Sequence, residues 1–505
     1  SVAYKNRTRG QGVIRTSEVS DNKFMDPSAS SPLSGETIQL PLKPIPGSYG
    51  VPFFGAIKDR LDYFYNQGKD EFFASRIRKY QSTILRTNMP PGPFIASNPQ
   101  VVALLDAVSF PVLFDNSKVE KRNVLDGTFF PSVAFTGGHR MCAYLDPSEP
   151  AHNALKSYFL SILASKHDQF VPSFRLYCSR MFSDVEYQMK SQMKSDLSDL
   201  LSSAAFGFIF NLMAGMDPSD TPLGTKGVSH ATKWLALQLI PLATIGLPKY
   251  LEDFLLRTVP LPFFLVKSDY QKLYDAFYKN AGSILQQAEA FGISKEEACH
   301  NLVFLAYFNA YGGMKAFFPT MFKWIAIAGR TLHLNLAKEV RCAVREAGGE
   351  LTLEALEHMP LTKSVVYEAL RIDPPIPYQY GKAREDLVIH SHDAAFEIKK
   401  GEMIFGYQPF ATKDPKVFAD PEEFVGDRFV GDAGKKLLKY VYWSNGRETD
   451  EPTVNDKQCP GKNLVLLLSR LLVAEFFLRY DTFTAEAKSD GLAGSVVTLT
   501  SLVKA

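Results

Sequence analysis

One of the five cysteines, Cys459, sits where a thiol could ligate a metal. It lies in Lys457-Gln458-Cys459-Pro460-Gly461-Lys462, and the apolar run Asn463 to Leu478 follows at once. A thiol just ahead of a helix N-terminus meets free backbone N–H groups and the positive end of the helix dipole. Both favour the thiolate, the form that binds metals, so a lowered pKa is expected. Upstream, Glu368-Ala369-Leu370-Arg371 sets opposite charges three residues apart on one helix face. Buried, such a pair needs a third partner to satisfy its donors. Exposed, it contributes only about 0.2–0.5 kcal/mol. Taken singly, the two features also read as an ordinary core thiol and an ordinary surface ion pair.

In this order and close to the C-terminal end, the two together resemble the haem-thiolate (cytochrome P-450-type) superfamily. Its common pattern places an aromatic residue seven positions before the ligand. Here Trp443-Ser444-Asn445-Gly446 opens the loop sixteen positions before Cys459, which leaves nine extra residues, Arg447 to Asn455. That insertion resembles the plant fatty-acid hydroperoxide branch of allene oxide synthases, divinyl ether synthases and hydroperoxide lyases. Pro46-Gly47-Ser48-Tyr49-Gly50, Phe110 to Asp115, Tyr144 to Pro150 and Ser391-His392-Asp393-Ala394 look like the same branch. The similarity runs from about Pro44 to Thr484.

The resemblance implies a mainly α prism fold with a smaller β-rich part, and haem b (heme b) whose iron takes Cys459 as axial thiolate. A thiolate pushes electron density onto the iron and favours O–O cleavage. Superfamily monooxygenases carry an acid–alcohol pair on their central helix to deliver protons to O2. Phe308-Asn309-Ala310-Tyr311-Gly312-Gly313 has neither an acid nor a threonine. A hydroperoxide brings its own weak O–O bond, so no O2, NADPH or reductase is implied. Asn309 becomes the polar group that orients it, with a helix-packing amide as the alternative. Leu125 matches a substrate-cavity position where allene oxide synthases usually have Phe. Ala310 replaces their usual Ser or Thr, and the cysteine loop looks most like divinyl ether synthases. Lys121 resembles a basic residue that contacts a haem propionate; an ordinary surface lysine is the alternative. Glu368 and Arg371 take the structural role of bracing the core on the haem side.

The implied activity is dehydration or rearrangement of 9- or 13-hydroperoxides of linoleic and linolenic acid in oxylipin biosynthesis. Divinyl ether synthase is favoured over allene oxide synthase, and a lyase giving short-chain aldehydes comes third. A conventional NADPH-dependent monooxygenase and a non-catalytic haem- or lipid-binding protein are the readings from other classes.

These residues must be positioned by a body whose period is mostly helical from about Pro150 to Gly348. His152 to Leu163 and Tyr270 to Phe291 read as helices. Ser294 is the expected N-cap of a helix from Lys295, with Glu297 as its capping-box partner. That helix runs, apolar nearly all round, through Asn309 toward Pro319. Ser82 to Thr87 predicts a strand and Gln100 to Leu105 a helix after it. Asp386 to His390, Phe396 to Lys399 and Met403 to Gln408 read as strands. Residues 1–43, basic and rich in Ser and Thr, read as a disordered or transit-like segment before a catalytic domain at 44–505.

In bulk the 505 residues are 46% hydrophobic and 22% charged, with a net charge of +2, so no nucleic-acid partner is implied. Scattered cysteines without a CxxC pair fit a reducing compartment. A plastid address fits the N-terminal composition; cytoplasmic or peripheral-membrane placement is the alternative.

Overall fold

The computed structural model describes residues 40–489 and 494–505; the segment ahead of Leu40 lies outside them. Among the described residues the chain forms a mainly helical body with three small sheets. Leu42–Lys43 already pairs with Ala395–Phe396 in parallel, so the body reaches back ahead of Pro44.

The largest sheet has the strand order Ile84–Asn88, Gln100–Leu104, Met403–Tyr407, Tyr378–Ala383 and Val119–Glu120. Gln100–Leu104 is therefore a strand and not the expected helix. Val101-Val102 is β-branched, and residues 101–104 are buried between two neighbouring strands, where a pleated run packs on both faces. Gly406 is required there, because a Cβ would come within 2.5 Å of the Phe110 ring. The edge pair Val119–Glu120 delivers the chain directly to Lys121.

Pro150–Lys166 and Phe170–Gln192 are continuous helices, whereas the run from Tyr270 breaks at Ala281 into Lys267–Asn280 and shorter turns. The central helix starts at Lys295, with Ser294 Oγ accepting from the Glu297 N–H at 3.2 Å. It widens into π geometry over Phe304–Tyr311 and then continues as Gly312–Ala328, past Pro319. The hydrophobic pattern located this helix but not its π segment, which adds a residue without changing composition. The helix after the cysteine, Lys462–Arg479, is buried along most of its length and packs into the main core.

Candidate functional site

The cysteine loop is built from a tight turn and a lysine scaffold. Trp443-Ser444-Asn445-Gly446 turns back on itself, with Ser444 and Asn445 at positive φ and the Trp443 N–H bonded to the Gly446 carbonyl. The extra residues 447–455 loop out, and the chain then returns. The Cys459 N–H donates to the Ser444 carbonyl at 3.2 Å. Three lysines hold the excursion. Lys457 donates to the carbonyls of Cys142, Ala143 and Leu145 at 2.8–3.0 Å. Lys156 donates to Asp456, and Lys462 to the carbonyls of Glu448 and Asp450. Two of these lysines flank Cys459 in sequence, yet nothing in a single Lys distinguishes a carbonyl-capping one from a solvated one.

Cys459 lies just ahead of the Lys462 helix start, half-buried. Its thiol pKa is nonetheless raised, because burial outweighs the Gly461 N–H, Lys156 and the Trp443 indole, which all favour thiolate. The expected lowering by the helix end is thus overruled in the protein alone; a cation at the sulfur would favour the thiolate.

Lys121 is buried, which removes the surface-lysine alternative. Its ammonium contacts the Asn445 amide oxygen and lies 3.4 Å from Gln379 Oε1. Burial, and then the nearby Lys457, push its pKa down to about 7. Buried His152 has an unpartnered Nδ1, and burial together with Lys457 and Lys156 pushes its pKa down to about 4. A buried lysine short of counter-charge and an orphaned ring nitrogen, near a cysteine whose thiolate the Trp443 indole favours, fit haem, whose carboxylates and iron would complete them.

Asn309 stands exposed on the π segment, between buried Tyr307 and Tyr311, so it is not a packing amide. A Cβ at Gly313 would meet nothing within 4 Å, so protein packing does not require that glycine. Leu125 is half-buried against the same core. A ladder of rings joins the two regions. Phe130 packs 5.4 Å from Tyr144, Tyr144 5.5 Å from Phe304, and Phe304 stacks 4.4 Å from Phe308 beside Asn309. Next to Leu125, Asp126 is pushed up to about 7 by burial, opposed by Tyr380 and Lys69.

Glu368 and Arg371 are fully buried and paired through two contacts of 2.7 and 2.8 Å. The third partner is Arg428, 3.0 Å from both Glu368 oxygens. Arg371 also donates to the carbonyls of Thr412, Pro421 and Glu423. Every lone pair and donor in this cluster has work close by, so burial of three charges is sustained. Tyr367, one residue before Glu368, meets the carboxyl of Glu448 in the inserted loop. Cys459, Lys121 and the Glu368 cluster thus share one framework, whereas Leu125 and Asn309 approach from the other elements.

The Cytochrome P450 family model matches residues 331–498. The chain is 56% identical over 470 residues to allene oxide synthase 2, chloroplastic, of Solanum lycopersicum, covering 93% of this chain and 92% of that protein. It is 57% identical over 471 residues to allene oxide synthase 2 of Oryza sativa subsp. japonica, covering 93% and 97%. It is 53% identical over 466 residues to the chloroplastic allene oxide synthase of Arabidopsis thaliana, covering 92% and 90%.

Proposed function

Because the chain belongs to the plant fatty-acid hydroperoxide-metabolising branch of the haem-thiolate cytochrome P450 family, we propose that it dehydrates polyunsaturated fatty-acid hydroperoxides to divinyl ethers. Dehydration of a hydroperoxide in oxylipin biosynthesis is the coarser part, and the names of its relatives support it. The observation that carries it is Asn309, an exposed carboxamide on a π segment that offers neither acid nor threonine.

When bound, the haem would supply an iron able to open a peroxide O–O bond. Cys459 would hold it from the loop side, and Lys121 and His152 would hold its carboxylates. Asn309 donates a hydrogen bond to the hydroperoxide and orients it. The rings of Tyr144, Phe304 and Phe308 present an apolar wall that excludes water from the carbon chain. Leu125 gives that chain a saturated surface with no π face.

The saturated side chains of Leu125 and Ala310 support the vinyl ether as product. The names of the relatives favour an allene oxide instead, and this is the second reading. Relatives named chloroplastic support a plastid address for this chain. The test is mass spectrometry of products from 9- and 13-hydroperoxides of linoleic and linolenic acid, without NADPH. A vinyl ether supports the proposal, a ketol from allene oxide hydrolysis replaces it with the second reading, and unconsumed hydroperoxide refutes both.

A further inference from the structure

Tyr311, at 0% exposure, carries a hydroxyl into the apolar core behind the central helix. Its oxygen meets Ser202 Oγ at 2.8 Å and Thr232 Oγ1 at 2.9 Å. A phenol donates one hydrogen bond and accepts another, so both contacts can be made at once. Ser202 lies on the helix Leu197–Ala214 and Thr232 on the helix Gly227–Leu239. One side chain thus fastens the central helix to two others. Four residues earlier, Tyr307 is equally buried, its ring stacked on Phe206 at 5.1 Å and on Phe277 at 5.2 Å. Its hydroxyl has no partner among the described residues. Burial and ring packing are common to both tyrosines; of the two, Tyr311 adds a hydroxyl clamp.

The clamp closes on the segment that presents Asn309. Tyr311 is the last residue of the π segment Phe304–Tyr311, and the Gly312 N–H turns back to the Tyr307 carbonyl, five residues earlier. A π turn is rare and often serves a function where it occurs. Residues two apart on a helix do not share a face, and here Asn309 is exposed while Tyr311 is buried. Holding Tyr311 from behind therefore sets the rotation of the turn, and with it the direction of the Asn309 carboxamide. The helix carrying Thr232 also reaches the segment through Trp234, edge-on to Phe308 at 6.4 Å. Such apolar contacts are non-directional, whereas hydrogen bonds weaken steeply away from their preferred angles.

We propose, resting on the reading of Asn309 as the group that orients the substrate, that Tyr311 is its positioning residue. The Tyr311 hydroxyl, held by Ser202 and Thr232, fixes the turn that aims Asn309 at the hydroperoxide. A misaimed donor costs rate more than binding, because orientation counts most in the reacting complex.

The test uses the full-length, haem-loaded protein and follows loss of the 13-hydroperoxide of linolenic acid, whichever product forms. Tyr311→Phe should lower kcat about tenfold, with KM and the haem spectrum unchanged. Tyr307→Phe removes an unpartnered hydroxyl from the same segment and should turn over like the wild type. Tyr311→Phe added to Asn309→Ala should cost no more than Asn309→Ala alone, because the aimed group is already gone. Amide hydrogen exchange over residues 304–312 should quicken in Tyr311→Phe and not in Tyr307→Phe. Tyr311→Phe also leaves two hydroxyls short of a partner, so a triple variant with Ser202→Ala and Thr232→Val separates stability from aim. It should regain most of the lost melting temperature and keep the lowered kcat. Wild-type kcat or unchanged exchange in Tyr311→Phe overturns the proposal, as does an equal further loss in the Asn309→Ala background. So does a triple variant that regains rate together with stability, or a Tyr307→Phe as slow as Tyr311→Phe. Asn309→Ala at the wild-type rate refutes the reading of Asn309 and this proposal with it, whereas failure of Tyr311→Phe alone leaves that reading standing.

Discussion

The N–H of Cys459 donates to the carbonyl of Ser444 at 3.2 Å, across the inserted residues 447–455. The insertion therefore lengthens the loop without moving its two ends apart. Ser444 and Asn445 keep their place beside the sulfur, and Asn445 accepts from Lys121. Lys462 caps the excursion's own carbonyls, Lys156 binds Asp456, and Lys457 ties the returning chain to the carbonyls of Cys142, Ala143 and Leu145.

Substituting Cys459→Ala should abolish the thiolate-type Soret signature and all hydroperoxide turnover. The fold should survive, because the loop is held by backbone and lysine contacts and not by the sulfur. Absorption and circular dichroism spectra check both parts. A retained Soret signature would remove Cys459 as the ligand.

Glu368→Gln should destabilise the protein by about 3–5 kcal/mol, since Arg371 and Arg428 would remain buried without their shared carboxylate. Replacing an exposed pair member, as in Lys435→Gln, should change stability by less than about 0.5 kcal/mol. Urea unfolding of the two variants under matched conditions measures the difference.

Glu448 in the inserted loop offers a test by pH. Burial pushes its carboxyl up to about 7, opposed by Lys462 and the Tyr367 hydroxyl. A folded-state pKa above the ordinary carboxylate value means that the folded protein binds the extra proton. Stability from this group is full below the unfolded pKa and is lost as pH rises toward 7. Glu448→Gln should therefore leave stability at pH 4.5 nearly unchanged and raise it at pH 8 by about 1 kcal/mol or more. Thermal unfolding at the two pH values measures this, and an equal effect at both would refute it.

Asn309→Ala should slow hydroperoxide turnover by about a hundredfold, because the substrate would lose the donor that orients it. Asn309→Gln should recover only part of the rate, since its donor is displaced by a methylene. The haem spectrum should be unchanged in both, which separates orientation of substrate from loss of the cofactor.

Some of this was legible in the chain and some was not. Cys459 and Glu368-x-x-Arg371 stood out because ligation and ion pairing tie residue type to spacing. Arg428 did not, because its partnership is made across sixty residues of chain. Gln100–Leu104 reads as a helix in the sequence and is a strand, because a short apolar run does not tell the two apart until its neighbours are known. The helix Lys249–Arg257 buries Glu252, Asp253 and Arg257 and turns Tyr250 and Phe254 outward, an arrangement no periodicity announces. Periodicity fixes that a helix has two faces, and only the packing of Glu252 against Ile245 and Tyr65 reveals which face meets solvent.

Leu125→Phe should move the product from the vinyl ether toward the ketol that forms when an allene oxide hydrolyses. The half-buried Leu125 offers only dispersion to a passing carbon-centred radical or cation. A phenyl ring in its place would present a π face whose quadrupole attracts positive charge. Stabilising that charge on carbon lengthens its life and favours loss of a proton from the intact chain. The neighbouring Asp126–Phe129 turn holds the backbone of this segment, so the exchange should alter the side chain's chemistry more than its position. Mass spectrometry of products from 9- and 13-hydroperoxides reads the ratio directly. An unchanged product ratio with turnover intact would show that Leu125 does not face the reacting carbons.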